Sequence, residues 1–205
     1  MPSPIAHIYY AREYLARNRR KDSAAFLRGT IFPDVRYIAN IDRAITHRRD
    51  VSLAEVAQCE DDWTAGVLLH CWVDEAWMAY FEQYGLDPED QSFDGQRTAL
   101  KLMEDEQLQR LLDSLNIKQI ALGLEGGVEG ADYGVAKVAV GNWNELVASL
   151  LRAKDTKEAR ELIMKAMHIA PIVIKRLEER EARMHRSMEW PERVRDCRRV
   201  VIEMF

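Results

Sequence analysis

His70 and Asp74 stand four residues apart in "GVLLHCWVDEAW", a run that is otherwise almost entirely apolar. On a helix, positions i and i+4 share a face, so this spacing directs an imidazole nitrogen and a carboxylate oxygen at one point. Zinc, manganese and iron accept such mixed donors, whereas calcium and magnesium prefer oxygen alone. The same pair can instead satisfy itself by a hydrogen bond inside a buried helix, and the spacing is open to both readings. Gly66, one turn earlier, is expected to leave open space on that face. Upstream, "GTIFPDVRYIANIDRAITHRRD" places Asp34 directly after a proline and His47 in a Thr-His pair. Of five histidines in the chain, His7, His47 and His70 fall in the first 74 residues, each with Asp34 or Asp74 as a possible companion. His168 and His185 lack a carboxylate companion in this reading and are expected to be core or surface residues.

These side chains need elements to hold them, and nearly every segment reads at a helical period, with prolines and glycines mostly between segments. The expected fold is all-α: a compact multi-helix domain spanning 1–205, built around a long central helix. Ser3-Pro4 marks the start of a first helix carrying His7. The stretch "DSAAFLR" predicts a short helix ending at Gly29, and Pro33 opens another with Asp34 in its first turn. From a capping Asp61 or Asp62 to Gly85 the apolar residues cover nearly all faces, which places this helix, with His70 and Asp74, through the middle of the domain. Further helices are expected at about 94–115, 132–152, 155–184 and 190–203. Five glycines between 123 and 134 suggest a flexible connection.

A net charge of -5 disfavours bulk nucleic-acid binding, and no segment carries the roughly 20 apolar residues of a membrane helix. Three cysteines without a CxxC spacing make neither a disulfide framework nor a thiolate zinc site, and fit a reducing cytoplasm. The first residues, interrupted by Arg12, Glu13 and Arg17, do not form a signal-peptide core.

His7, the "GTIFPD" ending in Asp34, the "TH" of His47 and "GVLLHCWVD" with His70 and Asp74 together resemble the metal-binding series of the bacterial zinc-dependent phospholipase C family, over roughly the first 80 residues. The resemblance implies an all-α fold in which Asp34, His47, His70 and Asp74 hold one zinc, while His7 shares Asp74 in part of a second site. No histidine lies between His70 and His168, so the family's third zinc position is expected to be absent. One or two ions are therefore implied, zinc first, with manganese or iron as alternatives.

The implied activity is metal-dependent hydrolysis of a small phosphoester or phospholipid-like substrate, with Asp34 as a possible acceptor of the water's proton. Arg36, Arg43 and Arg48 either meet a substrate phosphate or solubilise the surface. Trp72, Trp77 and Tyr80 either wall a pocket or fill the core. A phosphohydrolase of the HD kind is disfavoured because the chain contains no His-Asp dipeptide. A different class of reading is a non-catalytic helical protein that retains a structural or vestigial metal site.

Overall fold

A computed structural model describes residues 3–86, 95–112, 117–125, 127, 129–130, 133–187 and 189–205. Among them the secondary structure is helical with no strand, as the periodicity predicts. No helix of the described residues is long and apolar enough to cross a membrane.

Helix α1 (Pro4–Arg17) begins as expected: Ser3 Oγ accepts from the Ala6 amide at 3.1 Å, and Pro4 occupies the first turn, where a missing N–H costs nothing. Asp22 caps α2 (Ser23–Ile31), which runs two residues beyond Gly29 instead of stopping there. The physical reason is packing. A Cβ at Gly29 would lie 1.9 Å from the Trp63 carbonyl oxygen, so the glycine serves a close helix crossing and not a helix end. Pro33 cannot extend α2, and the chain tightens into a 3-10 turn, Phe32–Val35, that carries Asp34.

Two one-turn helices follow, α3 (Arg36–Ala39), closed by the left-handed Asn40, and α4 (Arg43–Thr46), which presents His47 at its C-cap. After α5 (Leu53–Gln58), whose Ser52 and Glu55 form a reciprocal capping box, Asp61 caps the central helix α6 (Asp62–Glu82). Every residue of α6 from Ala65 to Asp74 is buried, on all sides of the helix, and only beyond it do Glu75 and Ala79 reach the surface. Helices α7 (Gln96–Leu112), α8 (Ile117–Leu124), α9 (Lys137–Arg152), α10 (Thr156–Ala166), α11 (Pro171–Arg186) and α12 (Glu189–Glu203) complete the described elements.

Two of these differ from the expectation. The single helix expected over 155–184 is two, because His168 adopts a left-handed backbone (φ 53°) and Pro171 starts a new helix. Helix α8 was not expected; it precedes the glycine-rich stretch, of which residues 126, 128, 131 and 132 lie outside the described residues. The neighbouring described residues are tied to the body: Arg28 donates to Gly123 O at 2.9 Å and pairs with Glu129, and Asn144 Nδ2 donates to Gly127 O at 2.8 Å.

Candidate metal centre

Helices α2 and α6 cross backbone against backbone at Gly29 and Gly66, and that crossing builds one side of the site. A Cβ at Gly66 would stand 2.1 Å from the Phe26 carbonyl oxygen and 2.8 Å from the Thr30 amide nitrogen. The open space expected beside Gly66 is thus filled by the backbone of α2. One turn further along α6, His70 Nδ1 meets the Thr30 carbonyl at 2.8 Å. A carbonyl only accepts, so His70 Nδ1 carries the proton and Nε2 presents a bare lone pair.

The second imidazole is oriented by a different device. With Thr46 Oγ1 donating to the Pro33 carbonyl at 2.9 Å, its lone pair is left to accept from His47 Nδ1, 3.0 Å away. His47 Nε2 is therefore also a bare lone pair. The two Nε2 atoms face each other at 3.2 Å, with no hydrogen available to either in this arrangement. Asp74 Oδ2 lies 3.6 Å from His47 Nε2 and 3.7 Å from His70 Nε2, and Asp34 Oδ1 lies 4.0 Å from His47 Nε2. Asp34 Oδ1 is buried without a hydrogen-bond partner.

A tetrahedral ion with bonds of 2.0–2.1 Å has ligand atoms roughly 3.3 Å apart. His47 and His70 stand near this spacing from each other and slightly beyond it from Asp74, with Asp34 approaching from the side of His47, and mixed nitrogen and oxygen donors of this kind suit zinc, manganese or iron.

His7, reaching in from α1, stacks on His70 with ring centroids 3.7 Å apart and an interplanar angle of 15°. Its Nε2 lies 3.3 Å from Asp74 Oδ1 without hydrogen-bond alignment, and both ring nitrogens are buried and unpartnered. All five residues singled out in the sequence, His7, Asp34, His47, His70 and Asp74, thus converge on one buried locus, although they come from α1, the 3-10 turn, the end of α4 and α6.

Burial lowers the His47 pKa to about 4 and, with the neighbouring His7, holds His70 well below the ordinary imidazole value. Burial alone would raise the Asp74 carboxyl, but His70 and His7 outweigh it and keep it well below the usual carboxylate range. A lowered pKa at His47 and His70 favours the neutral imidazole that metal binding requires.

The nearby cations divide. Arg43 Nη2 donates to Asp74 Oδ2 at 2.7 Å, placing a guanidinium at the edge of the donor set, whereas Arg48 pairs with Glu55 on the exposed surface. Arg36 lines a cleft of about 220 Å³ that also reaches Asp34, with Lys101, Arg97 and Asp105 of α7 on its wall. Nothing in the linear pattern pointed to α7 here.

The aromatic residues of α6 do not wall this cleft. Trp77 is fully buried and donates to Glu104 Oε2 at 3.1 Å, Tyr80 donates to Asp196 at 2.8 Å, and Trp72 packs against Phe205. His185 also departs from expectation. Its Nε2 lies 3.2 Å from Glu106 and 3.9 Å from Glu181, and the partner on α7 is invisible to spacing along α11. No protein family, no characterised protein and no solved structure matches this chain.

Proposed function

We propose that the protein is a metal-dependent phosphoester hydrolase whose ion is held by Asp34, His47, His70 and Asp74, with His7 beside Asp74. The observation that carries this reading is the pair of Nε2 atoms 3.2 Å apart, flanked by two buried carboxylates, beside a cleft that Asp34 also lines. The resemblance to the zinc-dependent phospholipase C family supports the same residues and the same chemistry. When bound, a divalent cation supplies Lewis acidity, lowering the pKa of water and offsetting phosphoryl charge. Asp34, through the carboxylate oxygen that does not face His47, accepts the proton of the attacking water. Water oxygen forms one P–O bond, the ester P–O bond breaks, and the leaving oxygen takes up a proton.

The competing reading, a structural ion without turnover, draws on the complete burial of His7 and His70. The two are separated by measuring metal content, melting temperature and phosphoester turnover for wild type and Asp74→Ala, purified without a metal-affinity tag. Asp74→Ala is expected to lose its metal and at least about 100-fold in activity while keeping a cooperative melt. Wild type that holds metal but hydrolyses no phosphoester would make the ion structural. Retention of both metal and activity in Asp74→Ala would show that the ion sits elsewhere.

A further inference from the structure

We infer that the cleft beside Asp34 takes a compact phosphomonoester with an uncharged apolar organic group, its phosphate clamped by Arg36 and Lys101. Both cations line the cleft and both lie against one ring: Arg36 Cζ is 4.2 Å and Lys101 Nζ 6.0 Å from the centroid of Tyr37. Among the described residues neither makes an ion pair, in contrast to Arg160 on the same wall, which is paired with Glu181. Arg36 Nη2 donates to the Tyr37 hydroxyl at 2.9 Å, but its Nε is buried with no acceptor. A doubly charged anion in the cleft meets both cations and gives the idle Arg36 Nε an acceptor.

The charge of the ligand separates the phosphoester classes. A phosphomonoester carries about -1.5 to -2 at neutral pH, a simple diester one negative charge, and a choline diester none overall. A cationic headgroup would find little here. Of the two carboxylates on the wall, Asp34 belongs to the metal donors and Asp105 is engaged by the Ser3 hydroxyl. The Tyr37 face is already occupied by cations.

Size and polarity define the rest. At about 220 Å³ the cleft is smaller than the roughly 300–1,000 Å³ of sites for drug-sized ligands, which suits a phosphate with a short chain. Leu102, Leu150, Ile163, Met164 and Leu177 form its apolar wall, and flexible Met164 adapts to irregular alkyl shapes.

For turnover this inference rests on the hydrolase reading; for binding it does not, which lets the two fail separately. Calorimetric titration of metal-free protein with hexyl phosphate, inorganic phosphate and hexylphosphocholine is expected to rank them in that order, with hexyl phosphate at least about tenfold tighter than hexylphosphocholine. Lys101→Gln, at a half-buried position, is expected to keep the melting temperature and lose about tenfold for hexyl phosphate; Arg36→Gln should do the same. The zinc-loaded protein is then assayed for hydrolysis of hexyl phosphate and methyl hexyl phosphate. If the binding order holds but neither ester is hydrolysed, the hydrolase reading falls and the ligand class stands. Hexylphosphocholine binding as tightly as hexyl phosphate, or Lys101→Gln binding like wild type, would overturn the ligand class whatever is hydrolysed. Equal binding of inorganic and hexyl phosphate would overturn the apolar half of the assignment.

Discussion

Two hydroxyl and carbonyl groups that never touch the proposed ion decide what the histidines can do. Thr46 Oγ1, committed to the Pro33 carbonyl, fixes the His47 proton on Nδ1, and the Thr30 carbonyl does the same for His70. Removing the first of these leaves His47 free to protonate Nε2 and turn its lone pair away from the site. Thr46→Val is therefore expected to weaken metal binding about 10- to 100-fold, read by competition with a chromogenic chelator, while costing on the order of 1 kcal/mol of stability. Unchanged affinity would mean that tautomer control by Thr46 is not part of the site. At this scale the candidate residues were legible: His70 and Asp74 by spacing, His47 by the scarcity of histidine, and Asp34 by its place after Pro33 and the family resemblance. Thr46 was visible only as half of a "TH" pair, because its acceptor lies thirteen residues upstream and meets it only after the chain folds back.

The elements position the site through one intimate contact, the crossing of α2 and α6, where glycines 29 and 66 let backbone meet backbone. An added methyl at Gly66 has no flexible side chain to displace, since the atoms it meets are the Phe26 carbonyl and the Thr30 amide. Gly66→Ala is expected to destabilise the protein by about 1–3 kcal/mol in urea unfolding. It should also weaken metal binding in the folded fraction, because pushing α2 away withdraws the Thr30 carbonyl from His70. Wild-type stability in this variant would show that the helices are less closely packed than the structure has them. The caps at Ser3, Asp61 and the start of α11 follow local rules and were readable in part; the continuation of α2 through Gly29 was not. Glycine is ambiguous in a sequence, since both a helix end and a helix crossing favour the loss of Cβ, and only the neighbour distinguishes them.

Across the whole molecule, buried carboxylates tie α7 to the N-terminal half. Glu104, fully buried, accepts from Tyr10 at 2.7 Å and Trp77 at 3.1 Å, joining α1, α6 and α7. Next to it Asp105 holds the Ser3 hydroxyl, and burial pushes its carboxyl up to about 7. In the unfolded chain the same group titrates near 3.9. Between these values the native state holds a proton that the unfolded state has released, so the contribution of Asp105 to stability is present at low pH and lost as pH rises toward 7. His47, lowered to about 4, acts with the opposite sign and disfavours the native state as pH falls below its ordinary value of 6.5. Comparing metal-free wild type with Asp105→Asn isolates the first effect: the asparagine variant should gain relative stability from about pH 4 to 7, by on the order of 3 kcal/mol, and hold it above. Parallel stability curves for the two proteins would contradict the buried, protonated Asp105.

The sequence by itself determined the helical class, the central helix Asp62–Glu82 and the His70–Asp74 pair, because 3.6-residue periodicity and i,i+4 adjacency are properties of a single helix. It also singled out the five residues that meet at the proposed centre, by residue type and resemblance and without any distance between them. Tertiary structure alone decided that His47 Nε2 meets His70 Nε2, Asp74 and Asp34 at 3.2–4.0 Å, that His70 Nδ1 bears its proton toward Thr30, and that α7 brings Lys101 to the ring of Tyr37. Those features depend on how closely separate helices approach. That approach is set by backbone contacts at Gly29 and Gly66 and by buried hydrogen bonds between residues as far as 112 apart, for which no local pattern in the chain exists.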